Sequence, residues 1–218
     1  MSVPEVRPGQ RVTGLRRSRR DAALVVVMLD GARTGEVDAA EAERLGVARG
    51  MVLDARGAEA LGRALAIAAA RRDAARLARA RPRTKAELVL RLLERGHDRG
   101  AAEGAASLLV KSGAVNDLAV AEGTAIGLAE RRASRRLARE RLERRGIDPD
   151  QATAAVERAF GDQDERSRAI DAARRRANAL RGLDPATARR RLAGFLARRG
   201  YDEETCLDAV RVVLGEQE

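Results

Sequence analysis

Arginine carries nearly all of the polar chemistry open to this chain; lysine occurs only at Lys85 and Lys111. Its planar guanidinium fork suits carboxylate and phosphate recognition, and it does not give up its proton near neutral pH. Arg131, Arg132, Arg135, Arg136, Arg139, Arg141, Arg144 and Arg145 crowd one stretch, offset within it by Glu140 and Glu143. Arg174, Arg175 and Arg176 make a second cluster, and Arg189, Arg190 and Arg191 a third. All but Arg141, Arg144 and Arg145 are the candidate contacts to nucleic acid or to an acidic partner. The plainer alternative is a solvated helical face, on which arginines interleave with carboxylates three and four positions apart. Other chemistries lack their residues. His97 is the one histidine and Cys206 the one cysteine. His97 is expected to fill a junction between helices, and Cys206 to act as a small buried hydrophobe. There is no phosphate-cradling glycine loop and no Cys/His spacing for a metal. A non-enzyme with neither metal nor cofactor is expected. At 1% aromatic content the chain has almost no platforms for stacking bases. Any nucleic-acid contact should therefore be weak, directed at the phosphate backbone and sensitive to salt.

The elements that must position these arginines are marked by a recurring corner. Leu92-Leu-Glu-Arg-Gly96-His-Asp98, Leu142-Glu-Arg-Arg-Gly146-Ile-Asp148 and Leu196-Ala-Arg-Arg-Gly200-Tyr-Asp202 share one pattern, with glycines 50 and then 54 positions apart. The leucine four residues before each glycine belongs to a buried face. Arginines in the last turn suit the negative end of the helix dipole. The glycine takes the left-handed position after the helix, and the aspartate caps the next one. Three such corners at near-equal spacing predict internal repeats, each built of short helices.

The remainder of the chain fits that frame. An Ala-, Leu- and Val-based core suits an elongated stack of small units better than one thick globule. A formal net charge of +10 favours nucleic acid or an acidic surface as partner, although an arginine- and alanine-rich, lysine-poor chain is also what a GC-rich genome tends to produce. One cysteine allows no internal disulfide, and the longest apolar run, residues 22–29, is too short to span a bilayer. That run follows basic residues 16–20 but lacks a small-residue cleavage site, so a soluble cytoplasmic protein is expected. Residues 1–10 read as a loose tail. Strands are expected at 12–15, 24–29 and 32–37 around the hairpin dipeptide Asp30-Gly31, then a short helix at 39–45 and a short extended piece ending at Leu53. From Asp54 the pattern is helical. Ile67, Ala70, Ala74 and Leu77 share a face, Pro82 ends that helix, and Thr84-Lys-Ala-Glu87 is a capping box. Leu118, Ala121, Ala125 and Leu128 line a later helix, and Asp148-Pro149 and Asp184-Pro185 each begin another.

Several segments resemble the RecX family of regulatory proteins. Leu29-Asp30-Gly31, Leu45 and Gly50-x-x-Leu53 resemble the β-module found in many members. Arg83-Thr84-x-x-Glu87-Leu88 resembles the family's Arg-Ser-x-x-Glu-Leu, and Gly113-Ala114-Val115-Asn116-Asp117 the opening of its second repeat. Residues 190–201 are similar to its third-repeat pattern. Val120 replaces an aromatic, Ser134 a common glycine, and His97 a hydrophobic residue. The resemblance implies stacked three-helix repeats and a modulator of the RecA recombinase that lies along the RecA–DNA filament. A mainly α protein is thus expected: a tail (1–10), a β-hairpin-containing module (11–56) and three-helix repeats at 57–114, 115–162 and 163–218. It would act as a monomer, bind the RecA filament and, weakly, DNA, and have no membrane partner. The alternative is a basic helical protein that binds DNA alone.

Overall fold

The computed structural model describes residues 5–19 and 21–215. Three antiparallel strands, β1 (Val12–Arg17), β2 (Leu24–Leu29) and β3 (Ala32–Asp38), form a sheet in the order β1-β2-β3. Asp30 and Gly31 join β2 to β3 with φ of 48° and 83°, the double positive φ of a type I′ turn. A short helix α1 (Ala39–Arg44) is capped by Asp38 and precedes α2 (Ala55–Ala80). The expected loose tail is instead tied down from Val6 onward; residues 1–4 lie outside the described residues. Val6 packs on the sheet's apolar cluster. The Gly9 N–H donates to the Leu53 carbonyl and the Leu53 N–H to the Gln10 carbonyl, at 2.8 and 2.9 Å.

The chain forms two compact units, one ending at Asn116 and the other starting at Asp117. In the first, α2 serves two cores. Ala58, Leu61 and Leu65 in its first half bury against Val12, Val27, Leu29 and Val37 of the sheet. Ala70, Ala74 and Leu77 in its second half pack with α3 (Lys85–Leu93) and α4 (Arg99–Lys111). The expected module boundary at residue 56 therefore falls inside α2, because one long helix leaves fewer open ends to cap than two short ones. Leu88 and Leu92 are fully buried in this trio, worth about 2 kcal/mol each. The motif residues around them have local work. Arg83 Nε donates to the Leu77 carbonyl at the end of α2, while Thr84 and Glu87 complete the capping box of α3.

The second unit contains two further trios. Helices α5 (Asp117–Glu130), α6 (Arg135–Arg144) and α7 (Pro149–Phe160) enclose Ala121, Ala125, Leu128, Ala138, Leu142, Val156 and Phe160. Helices α8 (Glu165–Ala177), α9 (Pro185–Ala197) and α10 (Glu203–Leu214) enclose Ala169, Ala173, Leu192, Leu196, Tyr201 and Val210. A 3-10 turn at Asn178–Leu180 follows α8 and turns Leu180 into that core. Leu118 departs from expectation. Its spacing matches Ala121 and Ala125, but it sits in the first turn of α5, outside the cluster, and is 45% exposed.

All three corners close in the same way. Gly96, Gly146 and Gly200 have φ of 84°, 78° and 88°. The residue after each glycine donates its N–H to the carbonyl of the leucine four residues before the glycine: His97 to Leu92, Ile147 to Leu142 and Tyr201 to Leu196, at 3.1, 3.2 and 3.4 Å. Each glycine N–H bonds three residues back. Together these are the paired bonds of a Schellman motif, which satisfy carbonyls the helix end would otherwise leave open. Asp98, Asp148 and Asp202 then cap α4, α7 and α10.

Candidate arginine surface

The third corner is also a docking point, and it gathers arginines from both trios of the second unit. Gly200 lies against the start of α6, where an added Cβ would run into Ser134 Oγ and Leu137 Cβ. The backbones meet there because no side chain separates them. The Ser134 N–H donates to the Arg199 carbonyl at 2.8 Å, and Arg136 Nη2 to the Gly200 carbonyl at 2.9 Å. Arg199 Nε donates to the Arg131 carbonyl at 3.1 Å, and the Tyr201 hydroxyl to the Arg132 carbonyl at 2.9 Å. Arg132 holds a left-handed conformation, φ 54°, which turns its carbonyl toward that hydroxyl. Ser134 fits its place. It is 1% exposed and caps α6 by accepting from the Leu137 N–H.

Beneath this seam lies a buried cation. Arg168, 6% exposed, donates to the Ala129 carbonyl at 3.0 Å and stacks on the Phe160 ring 4.3 Å from its centroid. Desolvation pushes its pKa down, against the pull of Tyr201 and Glu165. Burial likewise raises the Tyr201 hydroxyl to about 12. Arg199 lies 3.8 Å from the centroid of Phe195, and Arg176 5.7 Å from it. Both phenylalanines of the chain are thus used to hold arginine planes.

The expected contacts now separate into two groups. Arg135 is turned inward. Its side chain is 19% exposed, donates to the Gln163 and Gly161 carbonyls and faces Glu157, Glu165 and the Phe160 ring. Arg132 lends its backbone to Tyr201 and is half-buried. Arg136 is exposed at its tip and shared between Glu140 and the Gly200 carbonyl. Arg131, Arg174, Arg175, Arg176, Arg189, Arg190 and Arg191 are exposed, while Arg139 is half-buried. At the seam the Arg131 carbonyl accepts from Arg199 and Arg136 donates to the next residue, Gly200; Arg176 shares the Phe195 ring with Arg199, whereas Arg174 is 3.9 Å from Asp171 on its own helix. Sequence reasoning passed over Arg168, Arg199 and the Tyr201 hydroxyl.

The first corner differs. His97 Nε2 lies 3.0 Å from Asp73 on α2, so the histidine that fills this junction also carries a polar contact. Burial acts to raise the Asp73 pKa, but the His97 bond and the charges of Arg76, His97 and Arg95 outweigh it and hold it below the usual range. Among the described residues no helix is long and apolar enough to cross a membrane.

Several known proteins are similar to this chain. The RecX third three-helix domain matches residues 162–210. The regulatory protein RecX of Streptomyces coelicolor is 38% identical over 138 residues, 62% of this chain and 72% of that protein. That of Amycolatopsis mediterranei is 33% identical over 140 residues, 62% of this chain and 78% of that protein. A crystal structure of regulatory protein RecX superposes with a TM-score of 0.69 at 16% identity, covering 95% of this chain and 100% of the other. RecX from Lactobacillus salivarius does so with a TM-score of 0.53 at 14% identity, covering 69% and 98%. With three-helix repeats behind a small N-terminal sheet and this level of identity over most of its relatives' length, the chain belongs to the RecX family of regulatory proteins.

Proposed function

We propose that the protein regulates a RecA-type recombinase in the cytoplasm by binding the recombinase–DNA filament as a monomer, without catalysis, and lowering its ATPase and strand-exchange activity. Family membership is the observation that carries this reading. The supporting surface is an arginine set of the second unit, the exposed Arg131, Arg136, Arg174, Arg175, Arg176, Arg189, Arg190 and Arg191 with the half-buried Arg139. Arg132 and Arg135 are left out, because both are half-buried with guanidinium groups that donate to backbone carbonyls. Residues 115–162 and 163–218 would present these arginines as two successive repeats. Several weak contacts along a filament add through effective concentration, so no single arginine has to dominate.

The test measures DNA-dependent ATP hydrolysis by the cognate recombinase with substoichiometric protein, alongside filament pull-down. Reduced turnover with co-sedimentation is expected. Unchanged turnover without filament binding overturns the proposal. Tight binding to bare DNA, with no effect of recombinase, would favour a stand-alone DNA-binding role.

A further inference from the structure

The first unit carries a groove of about 1060 Å³ that the arginine surface of the second unit does not involve. Its floor is made of small or apolar side chains, among them Ala64, Ile67, Ala68 and Ala75 of α2 with Gly104 and Leu108 of α4. Gly104 lets the two helices approach, since a Cβ there would lie 3.2 Å from Ile67 Cδ1. Leu108 is 40% exposed along this floor. The walls hold six cations, Arg44, Arg71, Arg72, Arg76, Arg79 and Lys111, against the carboxylates Asp21, Asp38 and Glu41. Four of the cations are held by carboxylates: Arg44 by Glu41, Arg71 by Asp38, Arg72 by Glu36 and Arg76 by Asp73. The side chains of Arg79 and Lys111 have no hydrogen bond or ion pair among the described residues, and both are exposed.

We infer that this groove takes an acidic amphipathic helix of a partner protein. An apolar stripe on such a helix would seat on the alanine and leucine floor while its carboxylates reach Arg79 and Lys111. Lining residues of α2 run from Ala64 to Arg79, about 23 Å of helix, which matches a partner helix of about 15 residues. A nucleic acid is a poorer fit. Three carboxylates line the walls, no aromatic ring lies among the lining residues, and an aliphatic floor offers phosphate nothing.

The inference is independent of the filament reading, and its test needs neither recombinase nor DNA filament. Fluorescence anisotropy would follow the full chain binding three labelled probes. These are a 15-residue helical peptide with a Leu/Ala stripe flanked by glutamates, the same peptide with lysines for glutamates, and a 15-nucleotide oligo(dT). Saturable binding of the glutamate peptide and none of the lysine peptide is expected, with the oligonucleotide, whatever its own binding, unable to displace the glutamate peptide. R79E combined with K111E should weaken it about tenfold and improve the lysine peptide. Ala68→Trp, which fills the floor, should also abolish binding while circular dichroism stays unchanged. No binding of the glutamate peptide, equal binding of both peptides, or competition by oligo(dT) would each overturn the inference.

Discussion

Tyr201 is the single tyrosine of the chain, so its ionisation is readable without interference. Its hydroxyl donates to the Arg132 carbonyl inside the seam, and burial lifts its pKa to about 12 from an ordinary value near 10. A group whose folded pKa is raised contributes stability that is complete below the unfolded value and fades as pH climbs through the folded one. The seam should therefore be fully stable at neutral pH and lose this contribution between roughly pH 10 and 12. Titrating phenolate absorbance should give a midpoint near 12 in the folded protein and near 10 in denaturant. A folded midpoint near 10 would mean that the hydroxyl is not enclosed. The corner glycines offer a second comparison. At Gly96 an added Cβ meets nothing within 4 Å, so Gly96→Ala carries only the strain of a left-handed alanine, about 1–2 kcal/mol. Gly200→Ala adds the collision with Ser134 and Leu137 and should cost roughly 3 kcal/mol or more. Chemical denaturation of the two variants tests the difference; equal losses would deny the close approach. The glycines could be read from sequence because three similar corners each needed a left-handed residue. Gly200's second task could not be read, because a contact 63 positions from Leu137 leaves no local trace.

Helices and strands were largely legible because their punctuation is local chemistry. Asp30-Gly31, Thr84 with Glu87, Asp148-Pro149 and Asp184-Pro185 all stand where the structure turns or caps. What escaped depends on neighbours far away in sequence. The double service of α2 is one case: its apolar periodicity runs through both halves, and nothing in it says that Leu61 meets a sheet while Leu77 meets helices. Leu118 is another, since periodicity assigns a face but not whether anything lies opposite the first turn. Leu118→Gln should leave the unfolding free energy nearly unchanged, within about 0.5 kcal/mol. Leu142→Ala, on the fully buried face of α6, should cost about 2–5 kcal/mol. A large destabilisation at Leu118 would show that the residue is covered after all.

For the molecule as a whole, a net charge of +10 mixes arginines that hold the fold with arginines free to bind. Arg135 and Arg168 belong to the first kind: both lie on Phe160 and donate to backbone carbonyls. Arg175, Arg190 and Arg191 belong to the second, being exposed and without a hydrogen bond or ion pair among the described residues. The two kinds should part cleanly on substitution by glutamine. Arg168→Gln removes the nearer cation from the Phe160 ring, leaves the Ala129 carbonyl unserved and should lower the melting temperature by several degrees. The triple variant R175Q/R190Q/R191Q should melt where the parent does, yet bind recombinase–DNA filaments more weakly. Its salt dependence then identifies what those arginines touch. Log affinity falls against log salt with a slope of about 0.9 for every phosphate the protein neutralises. A slope shallower by about 2–3 would place the three on the DNA backbone. Weaker binding at an unchanged slope would move them to carboxylates of the recombinase. Binding and slope both equal to the parent's would remove these three arginines from the interface.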